Sequence, residues 1–317
     1  MDTLVQQLNV SHVYKLTGGW LKGLPVVSSI AQTLIHGVFQ ATNPHGDRFA
    51  AISYMVAGCA PIVPHMVRHP LPGTDDMRHE LGIPANVTVI GRLGGATSFD
   101  VDFVHQTLMT KSFPRMIFLL VNTKRSFCRV GRKRSAFAQP PCPSHLRFLP
   151  AIHDEDAKAR FIRTCDAMLH ARTQGETFGL AIAEFAAYDK PVFTKDIVKR
   201  GRGAPHHLEG QLGRRATLYH DSESLTSALL RFDRNKPVDL TTPRPYAQYN
   251  PVDVTWAFYS VFLMPLEHEC ALPHDRRTKN RCLLAPNPAC EAVALTGRAR
   301  QMSCPVQRGR YIDARSC

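Results

Sequence analysis

No stretch of about eighteen consecutive apolar residues occurs in the chain, so the sequence offers no helix that would cross a bilayer. The start, Met1-Asp2-Thr3, has neither a basic n-region nor an apolar h-region, and no secretory leader is expected from it. None of the nine cysteines stands in a Cys-x-x-Cys pair. Their odd number and irregular spacing make free thiols in a reducing, cytoplasmic setting the simplest expectation. No internal repeat is present, which sets solenoid and propeller arrays aside. Acids are missing altogether between Asp102 and Asp154, a gap that holds Lys111, Arg115, Lys124, Arg125, Arg129, Arg132, Lys133, Arg134 and Arg147. A second basic cluster includes Arg298, Arg300, Arg308, Arg310 and Arg315, and the net charge is +13. Such an excess attracts polyanions in general, and charge alone does not choose among nucleic acid, a membrane surface and a sugar diphosphate.

What is present is a substantial core. Hydrophobic residues make up 44% of 317 residues and charged ones 21%, as in a globular protein of two domains or one large domain with appendages. From Val87 to Phe232 apolar runs alternate with helical patterns. Strands are expected at 87–91, 116–121, 145–149, 167–170, 191–194 and 216–219, and helices at 99–110, 155–165, 178–188 and 222–232. That alternation predicts an α/β fold, with a doubly wound, Rossmann-like parallel sheet covered on both faces. Upstream, 13–16, 32–39 and 49–53 read as strands or short helices, too few for an independent Rossmann domain. Pro64, Pro70, Pro72 and Gly73 mark a linker. An apolar helix is expected at 252–264, stopped by Pro265, and periodicity is lost beyond about Glu267.

Glu176 and Glu184 have seven residues between them, the first at a loop tip after the strand 167–170 and the second inside the next helix. Open α/β sheets bind ligands at the carboxyl ends of their strands. A helix N-terminus there offers free N–H groups to a phosphate, and Gly175 and Gly179 let the backbone come close. His170-Ala171-Arg172-Thr173-Gln174-Gly175-Glu176-Thr177-Phe178-Gly179-Leu180-Ala181-Ile182-Ala183-Glu184, followed by Lys190-Pro191-Val192, resembles the E-x7-E signature of retaining GT-B glycosyltransferases of the group 1 (family 4) type. The resemblance spans about 10–265 and is most specific over 64–195. It implies that Glu176 contacts the donor hexose and Glu184 the ribose. It also implies that amides at Thr177, Phe178, Gly179 and Leu180 contact sugar or phosphates. Val89-Ile90-Gly91-Arg92-Leu93-Gly94-Gly95 is similar to the family's Gly-Arg strand end, which assigns Arg92 to the diphosphate and Gly91, Gly94 and Gly95 to the donor site. Arg68 and the segment 76–84 resemble the interdomain stretch before that strand.

By the same resemblance the protein is GT-B-like. It has a partial, acceptor-side N-terminal lobe (1–66), a complete nucleotide-sugar-binding domain (67–250) and a terminal helix returning to the N-terminal lobe (251–266). A Cys- and Arg-rich tail (267–317) is expected to be disordered. His36 is the candidate catalytic histidine of the short lobe, with a satisfied structural histidine as the alternative; His45 is the other histidine there. His170 borders the motif loop and is assigned to the pocket. Arg172 reads as a solvated arginine, with phosphate orientation as the alternative, and Asp100 and Asp102 read as acids placed by the dipole at a helix start. Two features depart from the family. No Lys follows Arg92 until Lys111, so the Gly94 and Gly95 amides, Ser98, Lys124 or Arg125 are candidate substitutes. The N-terminal domain is also expected to begin partway through.

The expected function is transfer of a hexose from a nucleotide-diphosphate sugar, with retention, to an acceptor that is a glycan, lipid, protein or small molecule. Neither a cofactor nor a metal is expected, since the family works without a bound metal. Three alternatives stand beside it: an inactive sugar-nucleotide-binding remnant, another GT-B enzyme such as a sugar-nucleotide epimerase, and a polyanion-binding protein. The last would use the basic run 124–134 with Phe127 and Phe137, an aromatic–basic mix suited to single strands. No nucleic-acid motif accompanies that run, so an extended solvated loop is the preferred reading.

Overall fold

The computed structural model describes residues 2–18, 28–41, 44–58, 60–129, 142–197, 211–236 and 244–264. The tail 267–317, Phe137 and the part of the basic run beyond Arg129 lie outside the described residues. The chain divides into two compact units. Within the described residues, one takes 2–66 with 251–264 and the other 67–250.

The first unit carries α1 (Asp2–Gln7), β1 (His12–Thr17), β2 (Gln32–Gly37), β3 (Arg48–Ala51) and α2 (Tyr54–Ala57). The strands form a parallel three-stranded sheet in the order β1-β2-β3. β2 is central and buried over five of its six residues, as its apolar run requires, whereas β1 alternates exposed and half-buried positions.

The second unit holds β4 (Thr88–Arg92), α3 (Asp102–Thr110), β5 (Met116–Val121), β6 (Leu146–Leu149), α4 (Glu155–Thr164), β7 (Ala167–His170), α5 (Leu180–Ala187), β8 (Val192–Lys195), β9 (Ala216–Tyr219) and α6 (Ser222–Arg231). The last helix among the described residues, α7 (Pro251–Phe258), continues as one π turn over Tyr259–Leu263 and belongs to the first unit. There Phe262 is buried with Leu34, Ala50 and Val63, and Phe258 packs beside them.

All strands of the larger sheet are parallel, in the order β6-β5-β4-β7-β8-β9. Counted within this unit, that order is third, second, first, fourth, fifth, sixth. This is the doubly wound arrangement, and the chain reverses its direction of winding between β4 and β7. The alternation of side chains along each strand feeds two cores. Ile90, Phe118, Leu120, Leu169 and Phe193 join Val104 and Leu108 of α3 and Leu225 and Leu229 of α6 on one face. On the other face Gly91 sits against Cys165 and Phe185, and Phe185 meets Phe161 of α4 edge-on. Burial of eighteen residues in the first of these clusters leaves no room for a register slip, which would turn the strands' apolar sets the wrong way.

The free-thiol expectation holds for Cys165, which is buried and unpaired, and fails for two others. Cys128 and Cys142 form a disulfide, their Cα atoms 5.6 Å apart. Spacing does not reveal such a pair, because connectivity depends on where β5 ends and β6 begins.

Candidate functional site

The winding reversal leaves a crevice at the carboxyl ends of β4 and β7, and a cavity of about 320 Å³ lies there. One wall is Arg92 with the loop Leu93–Ser98 that leaves β4; the other is the end of β7, the motif loop and the start of α5. Asp100 staples the two walls together. Its Oδ1 accepts from the Thr173 amide at 2.7 Å, its carbonyl accepts from the Thr173 hydroxyl at 3.1 Å, and its own amide donates to Ala171. Asp100 is therefore a loop fastener rather than a helix-dipole acid; α3 starts at Asp102, which does sit in the first turn.

α5 begins at Leu180 because Gly179, at φ 87° and ψ 52°, takes a left-handed turn that a side chain would resist. Gly179, the N-cap, has no side chain with which to cap this end. The leading amides of a helix have no partner within it, and Leu180, Ala181 and Ile182 all line the cavity. This end of the cavity thus offers N–H groups and the positive end of a helix dipole. Phe178, one residue earlier, is 1% exposed. Its ring packs on Tyr246 and Tyr249, and its carbonyl accepts from the Tyr246 hydroxyl at 3.0 Å. The Phe178 side chain is thereby an anchor for the loop, whose amide at this residue is the group the resemblance assigns to the donor. Gly175 is buried at φ 68° within the motif loop, and Thr177 is half-buried.

Glu176 projects into the cavity between two partners. Arg172 Nη1 donates to Oε2 at 2.6 Å, and His170 Nε2 donates to Oε1 at 3.2 Å. His170 Nδ1 lies 2.9 Å from the buried Thr194 hydroxyl, and the His170 carbonyl accepts from Tyr219 at 2.6 Å. Each Glu176 oxygen keeps a lone pair for a further donor. The solvated reading of Arg172 is corrected: it is half-buried, paired and on the cavity wall.

Arg92 does different work from that implied by the family pattern. It is 2% exposed. Nη1 donates to the carbonyls of Val121 (2.6 Å), Gly94 (3.2 Å) and Asn122 (3.3 Å), and Nη2 to Gly95 and to Ser98 Oγ (2.9 Å). The guanidinium also lies over the Phe99 ring. Burial lowers its pKa to about 10 even though Glu176 pulls the other way. Arg92 shapes the Gly94–Gly95 loop rather than standing as a free anion clamp. Gly94, at φ 144°, lets that loop close over it. Gly91 is not a donor contact either: it faces the opposite core, where a Cβ would run into Cys165 Sγ.

Glu184 lies farther along α5 and off the cavity wall. Its Oε1 accepts from Lys158 Nζ of α4 at 2.8 Å, and Lys158 also reaches Glu155 at 3.0 Å. Burial pushes the Glu184 carboxyl above its ordinary value, and Lys158 only partly offsets this. The sequence gives no hint of this pair, because α4 and α5 meet only through the fold.

The remaining candidates have other partners or settings. His36 lies in the first unit, 3% exposed, with Nε2 donating to the Val63 carbonyl at 2.7 Å and Nδ1 2.8 Å from the Tyr14 hydroxyl. Both ring nitrogens are occupied, and the structural reading replaces the catalytic one. Lys124 is exposed, and Arg125 stacks over Phe148, so neither reaches the cavity wall. Phe127 is 5% exposed in the core and is unavailable for stacking on a base. Among the described residues no group of three His, Cys, Asp or Glu stands together as a metal site, and no helix is long and apolar enough to cross a membrane.

No protein-family model matches the chain, and no curated protein matches it. In its α/β fold the chain is similar to solved structures of GT-B glycosyltransferases. A glycosyltransferase from Rickettsia africae ESF-5 is 13% identical, with 72% of this chain and 68% of that chain covered and a TM-score of 0.47. HepE from Anabaena, solved with UDP-glucose, is 16% identical over 63% of this chain and 62% of that one, TM-score 0.46. WaaG, a glycosyltransferase of lipopolysaccharide biosynthesis, is 15% identical over 82% and 66%, TM-score 0.44. The chain thus spans less than two thirds of HepE and about two thirds of the other two. These likenesses are of fold alone.

Proposed function

We propose that this chain transfers a hexose from a nucleotide-diphosphate sugar to an acceptor, with retention of configuration. The observation that carries this reading is the meeting, in one cavity at the winding reversal, of an oriented carboxylate and a helix start whose N-cap is a glycine. A diphosphate is matched by the amides of Leu180, Ala181 and Ile182. Sugar hydroxyls are matched by Glu176, whose position His170 and Arg172 fix. The ribose, farther along α5, is assigned to Glu184, half-buried and held by Lys158.

In this mechanism the protein supplies position and charge rather than a covalent nucleophile. Amides and dipole stabilise the departing nucleoside diphosphate. Glu176 holds the hexose, and the acceptor oxygen attacks from the face the diphosphate leaves. Arg92 acts through the loop it shapes. No metal or cofactor enters the proposal.

The test is calorimetric titration with nucleoside diphosphates and their sugars, beside Glu176→Gln and Glu184→Ala, followed by NMR of the anomeric proton of any product. Saturable binding weakened by both variants, with a product of unchanged configuration, is expected. An inverted product would overturn the mechanism. A second reading, a sugar-nucleotide binder without transfer, is favoured by the locked Arg92. Donor binding with neither nucleotide release nor sugar isomerisation would establish it, and isomerisation would point to an epimerase.

A further inference from the structure

A diphosphate brings at least two negative charges, and backbone amides alone neutralise them incompletely. The cavity wall carries two guanidinium groups. Arg92 is committed to carbonyls and to Ser98 and is nearly sealed from solvent. Arg172 differs on each count. Its side chain is 27% exposed, it lines the cavity, and it spends Nη1 on Glu176, with Nη2 and Nε engaged by none of the described residues. Lys124 and Arg125 stand away from this wall.

We propose that Arg172 is the cation that binds the donor's diphosphate, bridging it to Glu176 through the two sides of one guanidinium fork. The proposal rests on the donor reading of the cavity. A planar fork can serve both groups at once, since one edge grips a carboxylate while the other remains free for phosphate oxygens. It also couples the two halves of the donor, because the group that holds the phosphates sets the orientation of the carboxylate that meets the hexose. The Asp100–Thr173 staple fixes the backbone beside Arg172, so the guanidinium is presented at little conformational cost.

The experiment is calorimetry of the full chain with uridine, guanosine, adenosine and cytidine diphosphates and the matching nucleosides. The proteins are the unaltered chain, Arg172→Ala, Arg172→Lys and the double variant Arg172→Ala with Glu176→Gln. For the diphosphate that binds, Arg172→Ala is expected to weaken affinity by roughly tenfold to a hundredfold and to flatten its salt dependence, with nucleoside affinity unmoved. Arg172→Lys is expected to recover part of the loss. Loss through a liberated Glu176 charge is a different cause, and the double variant separates it. Under the proposal the double variant stays weak; recovery to full affinity would overturn it. Unchanged diphosphate affinity in Arg172→Ala would also overturn the proposal while leaving the donor site standing. If no diphosphate binds the folded, unaltered chain, the donor reading falls and this inference falls with it.

Discussion

The Tyr14 hydroxyl lies 2.8 Å from Nδ1 of His36. On the far side of the ring Nε2 meets the Val63 carbonyl, which only accepts, so Nε2 must carry the proton. In the neutral ring Nδ1 then accepts from Tyr14. The Val63 carbonyl thus fixes the tautomer of a histidine in the core of the first unit, and burial keeps its ring neutral.

This arrangement makes stability depend on pH. Burial lowers the His36 pKa to about 4, with His65 acting in the same direction against the Val63 and Ala51 carbonyls. The unfolded chain binds its proton near 6.5, so between these values it holds more protons than the fold does. The His36 contribution is present above pH 6.5 and is lost as pH falls to about 4, by up to about 3 kcal/mol. Urea denaturation at pH 7, 5.5 and 4 should show this slope, and His36→Gln should flatten it. Burial lowers His65 as well, so some slope should persist. An identical slope in the variant would clear His36 of the effect.

Arg92→Ala should cost about 3 kcal/mol, because it strips the buried Val121 carbonyl, three part-buried carbonyls and a hydroxyl of their shared donor. Arg92→Lys should recover little of this, since an ammonium cannot span the same set of acceptors. Thermal or urea melting gives the numbers. Melting of both variants like the unaltered chain would return Arg92 to the role of a free anion clamp.

The elements of the larger unit are legible in the sequence because its strands are short, mostly apolar runs and each helix carries one stripe. Most observed boundaries fall within two residues of those expected, such as 116–121 and 216–219. The helix expected from Phe178 starts at Leu180, since periodicity cannot see the left-handed turn at Gly179. The E-x7-E spacing marks the loop and helix but not the partners. Arg172 pairs with Glu176 at a separation of four without a helix between them, so the contact depends on the path of the loop. Lys158 meets Glu184 only after α4 and α5 pack on the same face. Arg92 illustrates the opposite limit: a motif position names the residue but not the direction in which its side chain turns.

The Cys128–Cys142 bond closes a separation of 14 residues in the connection from the end of β5 to the start of β6. Restricting a loop of that length in the unfolded chain is worth about 3 kcal/mol. Reduction should therefore lower the melting temperature by several degrees. Phe127, next to Cys128, is buried against Phe99 and His105, so the loosened segment also strains a core contact. Cys128→Ser with Cys142→Ser should melt like the reduced chain and ignore dithiothreitol. Equal melting of the oxidised and reduced protein would show that the bond adds nothing to stability.

Gly91 and Cys165 supply a sharper test of the packing. Gly91 lies in the buried central strand β4 of the larger sheet, where a glycine ordinarily weakens a strand. Here a Cβ would run into Cys165 Sγ and lie 3.1 Å from the Phe185 ring. Gly91→Ala should thus destabilise by about 1–3 kcal/mol as overpacking, in spite of alanine's smaller backbone entropy cost. Cys165→Ala alone removes a buried sulfur and should also destabilise. The combination separates the causes. If the clash is with Sγ, the double variant should be more stable than the sum of the single effects predicts, with a coupling near 1 kcal/mol or more. Simple additivity would instead place the clash at Phe185, which belongs to α5. In that case Gly91→Ala should displace the helix whose first turn lines the cavity, and diphosphate affinity would fall along with stability.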